Sequence, residues 1–129
     1  MPEPVVDPSE TVSRFLLKDD LRPDRETIKH SAFMPPSSNP ELSVFRVSDL
    51  SDQQIWALAA EKVEPARGHI IGRGDLLVSQ VVAMKLTVSP DIDLVSRHAN
   101  IAGWPADRDL RATIAKDLAA LASPAKNRH

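Results

Sequence analysis

The period of hydrophobic and polar positions changes several times along this chain, and each change marks an element. Val12 to Leu17 alternates loosely before the polar Lys18-Asp19-Asp20, which predicts a first strand running into a turn. Thr27 to His30 reads as a short strand leading to Phe33 and Met34. Pro35-Pro36-Ser37-Ser38-Asn39-Pro40 neither pairs in a sheet nor continues a helix, because prolines lack a donor and Ser and Asn favour turns. A surface loop with local disorder is expected there. Leu42 to Val47 carries the strongest strand pattern, with β-branched and aromatic side chains interspersed by Ser43 and Arg46.

Ser51 sits at an N-cap position with Gln54 placed to complete a capping box, and Ile55, Leu58, Ala59 and Val63 follow at helical spacing. A helix from Asp52 to about Lys62 is predicted, closed by Glu64-Pro65 because a residue before proline is pushed out of the α region. Arg67 to Gly72 gives a short strand centred on Ile70 and Ile71, after which Gly74 turns the chain and Asp75 caps a helix from Leu76 to Lys85, with a continuous strand through Val78 and Val82 as its rival. Leu86 to Val88 reads as the final strand. Pro90 to Pro105 is too rich in Pro, Asp, Ser and Asn to look regular, and a loop of that length is expected to be functional or disordered. The last helix starts at Pro105 and Asp107, with Leu110, Ile114, Leu118 and Leu121 opposite Arg108, Arg111 and Lys116, and Ser123-Pro124 stops it. These elements predict an α+β fold, a small mainly antiparallel sheet of about four strands packed against about three helices, the last of them C-terminal. The domain is expected over 12–123, with a flexible arm at 1–11 and a flexible tail at 124–129.

Composition narrows the function classes. Aromatic residues are only 4% of the chain and Tyr is absent, so the core must come from Leu, Ile, Val and Ala. A net charge of −2 and a pI near 6.1 argue against a nucleic-acid partner, while leaving room for a local basic patch. The absence of Cys removes disulfides, thiolate zinc sites and cysteine nucleophiles. The first residues show neither the basic nor the apolar region of a signal peptide, and no apolar run is long enough to cross a bilayer, so a cytoplasmic location without membrane contact is expected.

Candidate chemistry is densest at Arg97-His98-Ala99-Asn100-Ile101 and the following Gly103-Trp104-Pro105. An imidazole beside an arginine favours its neutral, proton-accepting form, which makes His98 the candidate catalytic acid/base. Arg97 suits a phosphate or carboxylate, Asn100 a ligand edge and Trp104 a stacking face, with a helix N-terminus following. The same residues equally suit an ordered structural loop, with His98 and Asn100 satisfying backbone groups and Trp104 plugged into the core. A second group, His69, Arg73, Gly74 and Asp75, falls at a predicted strand-to-helix turn, and Arg46 falls within the best strand; Arg46, Arg73 and Arg97 would form an anion clamp if they converged. Asp91-x-Asp93 offers oxygen ligands as any acidic pair does. The histidine spacings do not suit zinc, no metal or cofactor is implied, and without a Gly-x-Ser-x-Gly elbow serine hydrolysis is not expected. An arginine in an early strand resembles that of ADP-ribosyl transferases, but the aromatic and catalytic Glu elements of that family are not found here.

Over Ser13 to Ala122 the chain resembles a family of small uncharacterised bacterial proteins, through Leu42-Ser43-Val44-Phe45-Arg46, Ile55-Trp56-Ala57-Leu58 and the Arg97 to Pro105 stretch. That resemblance implies no reaction, cofactor or partner. Two functions therefore stand side by side. One is a binding module, a subunit of a larger assembly with a protein partner or self-association, anchored by Trp56 outside the main apolar stripe. The other is a small enzyme or sensor for a phosphate- or carboxylate-bearing ligand, using His98, Asn100, Arg46, Arg73, Arg97 and His69. Whether those side chains share one concavity separates them.

Overall fold

A computed structural model describes residues 6–91 and 97–128. Its strands are β1 (Thr11–Leu16), β2 (Leu42–Arg46), β3 (Gly72–Leu77), β4 (Thr87–Pro90), β5 (His98–Ala102) and β6 (Lys126–Asn127). They form one six-stranded sheet in the order β4-β5-β2-β1-β3-β6, and every pairing is antiparallel. The helices are α1 (Asp52–Leu58), continued by a π turn (Ala59–Val63) into α2 (Glu64–Arg67), then α3 (Val78–Ala83) and α4 (Arg108–Ala122). Short 3-10 turns lie at Lys18–Asp20 and His30–Phe33. The fold class is thus α+β with a single antiparallel sheet and a C-terminal helix, and the sheet has six strands where about four were expected. Among the described residues, no helix is long and apolar enough to cross a membrane.

Alternation sends side chains to two faces. On one face Val12, Leu16, Leu42, Val44, Leu76, Ala99 and Ile101 pack with Phe33 and with Ala115, Leu118, Ala119 and Ala122 of α4. On the other, Phe15 joins Val47, Ile55, Ala59, Val63 and Ile70 beneath the α1–α2 helix. That helix covers only part of its face, so Ser43 is left exposed and His98 and Asn100 half-buried on the same side.

Several local predictions give way to tertiary contacts. Gly74 and Asp75 lie within β3 and do not form a turn and cap, and the helix predicted from Leu76 begins only at Val78. Gly74 suits close packing: a Cβ there would lie 2.8 Å from Ile28 Cδ1, which would have to shift, and 3.1 Å from Ala122 Cβ, so the missing side chain lets α4 settle on the sheet. Ile28 makes only an isolated bridge to Leu21, and the chain continues as a 3-10 turn where a strand was expected. The helix opened by the Ser51–Gln54 capping box runs through Pro65, because the wider π turn places that proline in a new first turn, where a donor is dispensable. The expected loop from Pro90 to Pro105 contains β5, an interior strand, and residues Lys126 and Asn127 of the expected tail pair with β3 as β6. Asp107 caps α4 as predicted, but Leu110 and Leu121 are exposed; alanines, which allow close approach, supply most of the buried face.

Gly74→Val should destabilise the fold by about 1–3 kcal/mol through overpacking against Ile28 and Ala122. Urea denaturation would show this as a lowered midpoint at unchanged slope, and an unchanged midpoint would refute the close approach.

Candidate functional site

The three arginines proposed as an anion clamp are all engaged by carboxylates: the Arg46 N–H donates to the Arg97 carbonyl at 2.9 Å, yet the two guanidinium groups pair with different acids, and Arg73 pairs with two others. Arg46, 4% exposed, donates from Nε and Nη2 to Glu10 Oε1 and Oε2 at 2.9 and 2.8 Å. Arg73, 2% exposed, donates from Nη2 to Asp52 Oδ1 at 2.7 Å and from Nε to Asp75 at 3.3 Å, with Trp56 lying against its guanidinium at 4.7 Å. Asp75 also accepts from the Ser13 hydroxyl and pairs with Lys126. Arg97 forms a two-pronged pair with Asp49. His69 is exposed and meets Glu64 Oε2, which also takes the Ile70 N–H and pairs with Arg128. Trp104 is buried, and its indole N–H donates to the Ile101 carbonyl at 2.9 Å, so the ring closes the turn after β5 and offers no stacking face.

His98 is placed differently. Its Nδ1 lies 2.7 Å from Asp91 Oδ2 and its Nε2 lies 2.9 Å from the Ser43 hydroxyl, while Phe45 packs against the ring edge. Antiparallel register explains the meeting: Ser43 is directly opposite Asn100 and Phe45 opposite His98, which puts all of these side chains on one face. Arg14 fixes the strand position from beneath, donating Nη1 to the Ser43 carbonyl and Nε to the Ala32 carbonyl. Burial, aided by nearby Arg67, pushes the Arg14 guanidinium down to about 10. Ser43 and Asp91 were not paired with His98 by sequence reasoning, because residues 98–102 did not read as a strand. The signal was the alternation of Ala99 and Ile101 with His98 and Asn100. Asp93 lies outside the described residues.

A third group was not anticipated. Lys18, Arg22, Arg25 and Lys29 surround a cleft of about 590 Å³ floored by Leu21, Pro23 and Ile71, with Asp19 as its one acidic lining residue. A smaller cleft of about 260 Å³ adjoins it, sharing Arg25 and Ile71 and adding His69 and Arg128. Among the described residues these lysines and Arg22 and Arg25 form no ion pair. The local chain explains part of this: two of the nearby carboxylates, Asp20 and Asp24, are committed to backbone groups. Asp24 takes the Glu26 and Thr27 N–H groups and the Thr27 hydroxyl, and the Thr27 N–H chiefly holds its carboxyl below the ordinary range. Asp20 takes the Leu17 N–H and faces Arg67. The turn holds Arg25 at φ 60°, a left-handed conformation.

Among the described residues, no cluster of three or more His, Asp or Glu side chains is arranged to hold a metal ion. No protein-family model, curated protein or solved structure shows detectable similarity to this chain.

Glu10→Gln should lower stability by about 1–3 kcal/mol near neutral pH, since it removes the charged partner of a buried guanidinium. The Arg46 hydrogen bonds hold the Glu10 carboxyl below its ordinary value of 4.5, so this stabilisation is complete above that pH and fades as pH falls through the lowered folded value. Chemical denaturation of both proteins from pH 7 to pH 3 should therefore give curves that converge on the acid side. A constant gap would count against the pair.

Proposed function

We propose that the chain is a small binding module for a phosphate- or carboxylate-bearing ligand, seated in the cleft between Lys18 and Lys29. The observation that carries this reading is a set of four cations around a concavity, none of them in a close ion pair among the described residues. Arg46, Arg73 and Arg97, by contrast, are neutralised by carboxylates within the fold and have little left to offer an anion. Here Lys18, Arg22, Arg25 and Lys29 face one lining carboxylate in a protein whose net charge is −2. A local excess of positive charge on an acidic background favours a compact anion over a long polyanion, which the rest of the surface would repel. The cleft volume of about 590 Å³ suits a small organic molecule, and Leu21, Pro23 and Ile71 supply an apolar floor for its body. Arg22 and Arg25 supply planar donor forks suited to phosphate or carboxylate oxygens.

Thermal shift with inorganic pyrophosphate and with adenosine diphosphate tests this reading, using the parent and an Arg22→Ala, Arg25→Ala double variant. A ligand at a hundred times its Kd stabilises the folded state by about 2.7 kcal/mol, which raises Tm by several degrees in a domain of this size. The parent is expected to shift and the double variant to shift far less, with the gain shrinking as salt is raised. No shift in the parent, or equal shifts in both proteins, would sink the proposal.

A further inference from the structure

We propose that Ser43 is a nucleophile toward carboxylic esters, activated by His98 and Asp91 and assisted by Asn100. This site shares no residue with the basic cleft and stands independently of any ligand bound there.

The geometry is that of a nucleophile, a base and an orienting acid in series. An ionised carboxylate only accepts hydrogen bonds, so the 2.7 Å contact to Asp91 places the ring proton on His98 Nδ1. Nε2 of the neutral ring then carries the lone pair, and at 2.9 Å it accepts the hydroxyl proton of Ser43. Such a set is identified by geometry and roles, since it recurs on unrelated folds in different chain orders. The missing sequence elbow therefore does not exclude it.

Two further features favour chemistry over a purely structural bridge. Ser43 is exposed, so a substrate carbonyl can reach its Oγ. Asn100 is directly across the ladder from Ser43, and its side-chain amide makes no hydrogen bond among the described residues. An unengaged amide beside the nucleophile is a donor for the oxygen on which negative charge develops. Phe45, half-buried against the His98 ring, gives an apolar surface for the acyl chain.

In the first half-reaction Ser43 Oγ bonds to the ester carbonyl carbon while its proton passes to His98 Nε2. The carbonyl π pair moves onto the oxygen facing Asn100. Collapse of that intermediate breaks the bond to the alcohol, and the proton on Nε2 goes to the departing alkoxide. A water molecule then attacks the acyl-serine with His98 again taking and returning a proton, which releases the carboxylic acid and restores the Ser43 hydroxyl.

A fluorophosphonate probe tests the nucleophile without knowledge of the natural ester. The folded parent should gain the mass of one probe less HF, as Ser43 Oγ displaces fluoride, mapped to Ser43 by peptide mass spectrometry, and should hydrolyse p-nitrophenyl acetate with an acyl-enzyme burst. Ser43→Ala should abolish both, and His98→Gln should slow labelling at least about a hundredfold. Asn100→Ala should slow ester hydrolysis about as much. Circular dichroism and Tm establish that each variant is folded, and labelling by Asp91→Asn gives a second reading of the base if His98→Gln is unstable. Absence of Ser43 labelling in the folded parent, or undiminished labelling in both base variants, would overturn the proposal and leave the bridge a structural one.

Discussion

A guanidinium taken out of water must be neutralised or satisfied by hydrogen bonds, and this requirement shapes more of the molecule than any other. Arg73 and Arg46 are almost fully enclosed, and leaving either without a charged partner would be a sizeable loss for a domain whose whole stability is modest. Each solution ties distant segments together. Arg73 links β3 to the start of α1 through Asp52, and its neighbour Asp75 reaches Ser13 on β1 and Lys126 on β6. Arg46 draws in Glu10, which fixes the approach to β1. The central strands are thus held by their ladder, by the apolar layers on both faces and by these charge pairs.

The same requirement divides the surface into spent and available charge. Carboxylates within the sheet and α1 answer arginines, whereas Asp24 and Asp20 answer backbone N–H groups in the turns between β1 and the 3-10 turn at His30–Phe33. The cations of that segment are left facing solvent around a cleft. Charge that is free to meet a ligand is therefore found where local turn chemistry engages two of the nearby acids, and not where arginines stand out most in the sequence. His98 illustrates a different outcome: its partners are a carboxylate and a hydroxyl, so the ring keeps a polar role on the open part of the sheet.

Legibility followed the range of the interactions. The strand at Leu42 and the cap at Ser51 were readable because their determinants lie within a few residues. Gly74 was misread because glycine permits both a turn and a close approach, and only Ile28 and Ala122 select the second. Pro65 was misread because a single π turn can move a proline from a helix interior to a first turn. β5 was hidden by its polar residues, since on a half-covered sheet His98 and Asn100 are ordinary occupants of the open face. The candidate site was legible in His98 and Asn100 and illegible in Ser43 and Asp91, which only strand register and the approach to β5 bring to the ring.

By itself the sequence determined the α+β class, the main caps and the apolar segments from which the core is built, because periodicity and capping are set by neighbours along the chain. It also supplied the charged side chains without assigning their partners. Tertiary structure decided which arginines are buried and silent, which cations remain available and which hydroxyl meets His98. Those outcomes depend on pairing between segments far apart in sequence, where an ion pair or hydrogen bond forms only after the sheet has set its register.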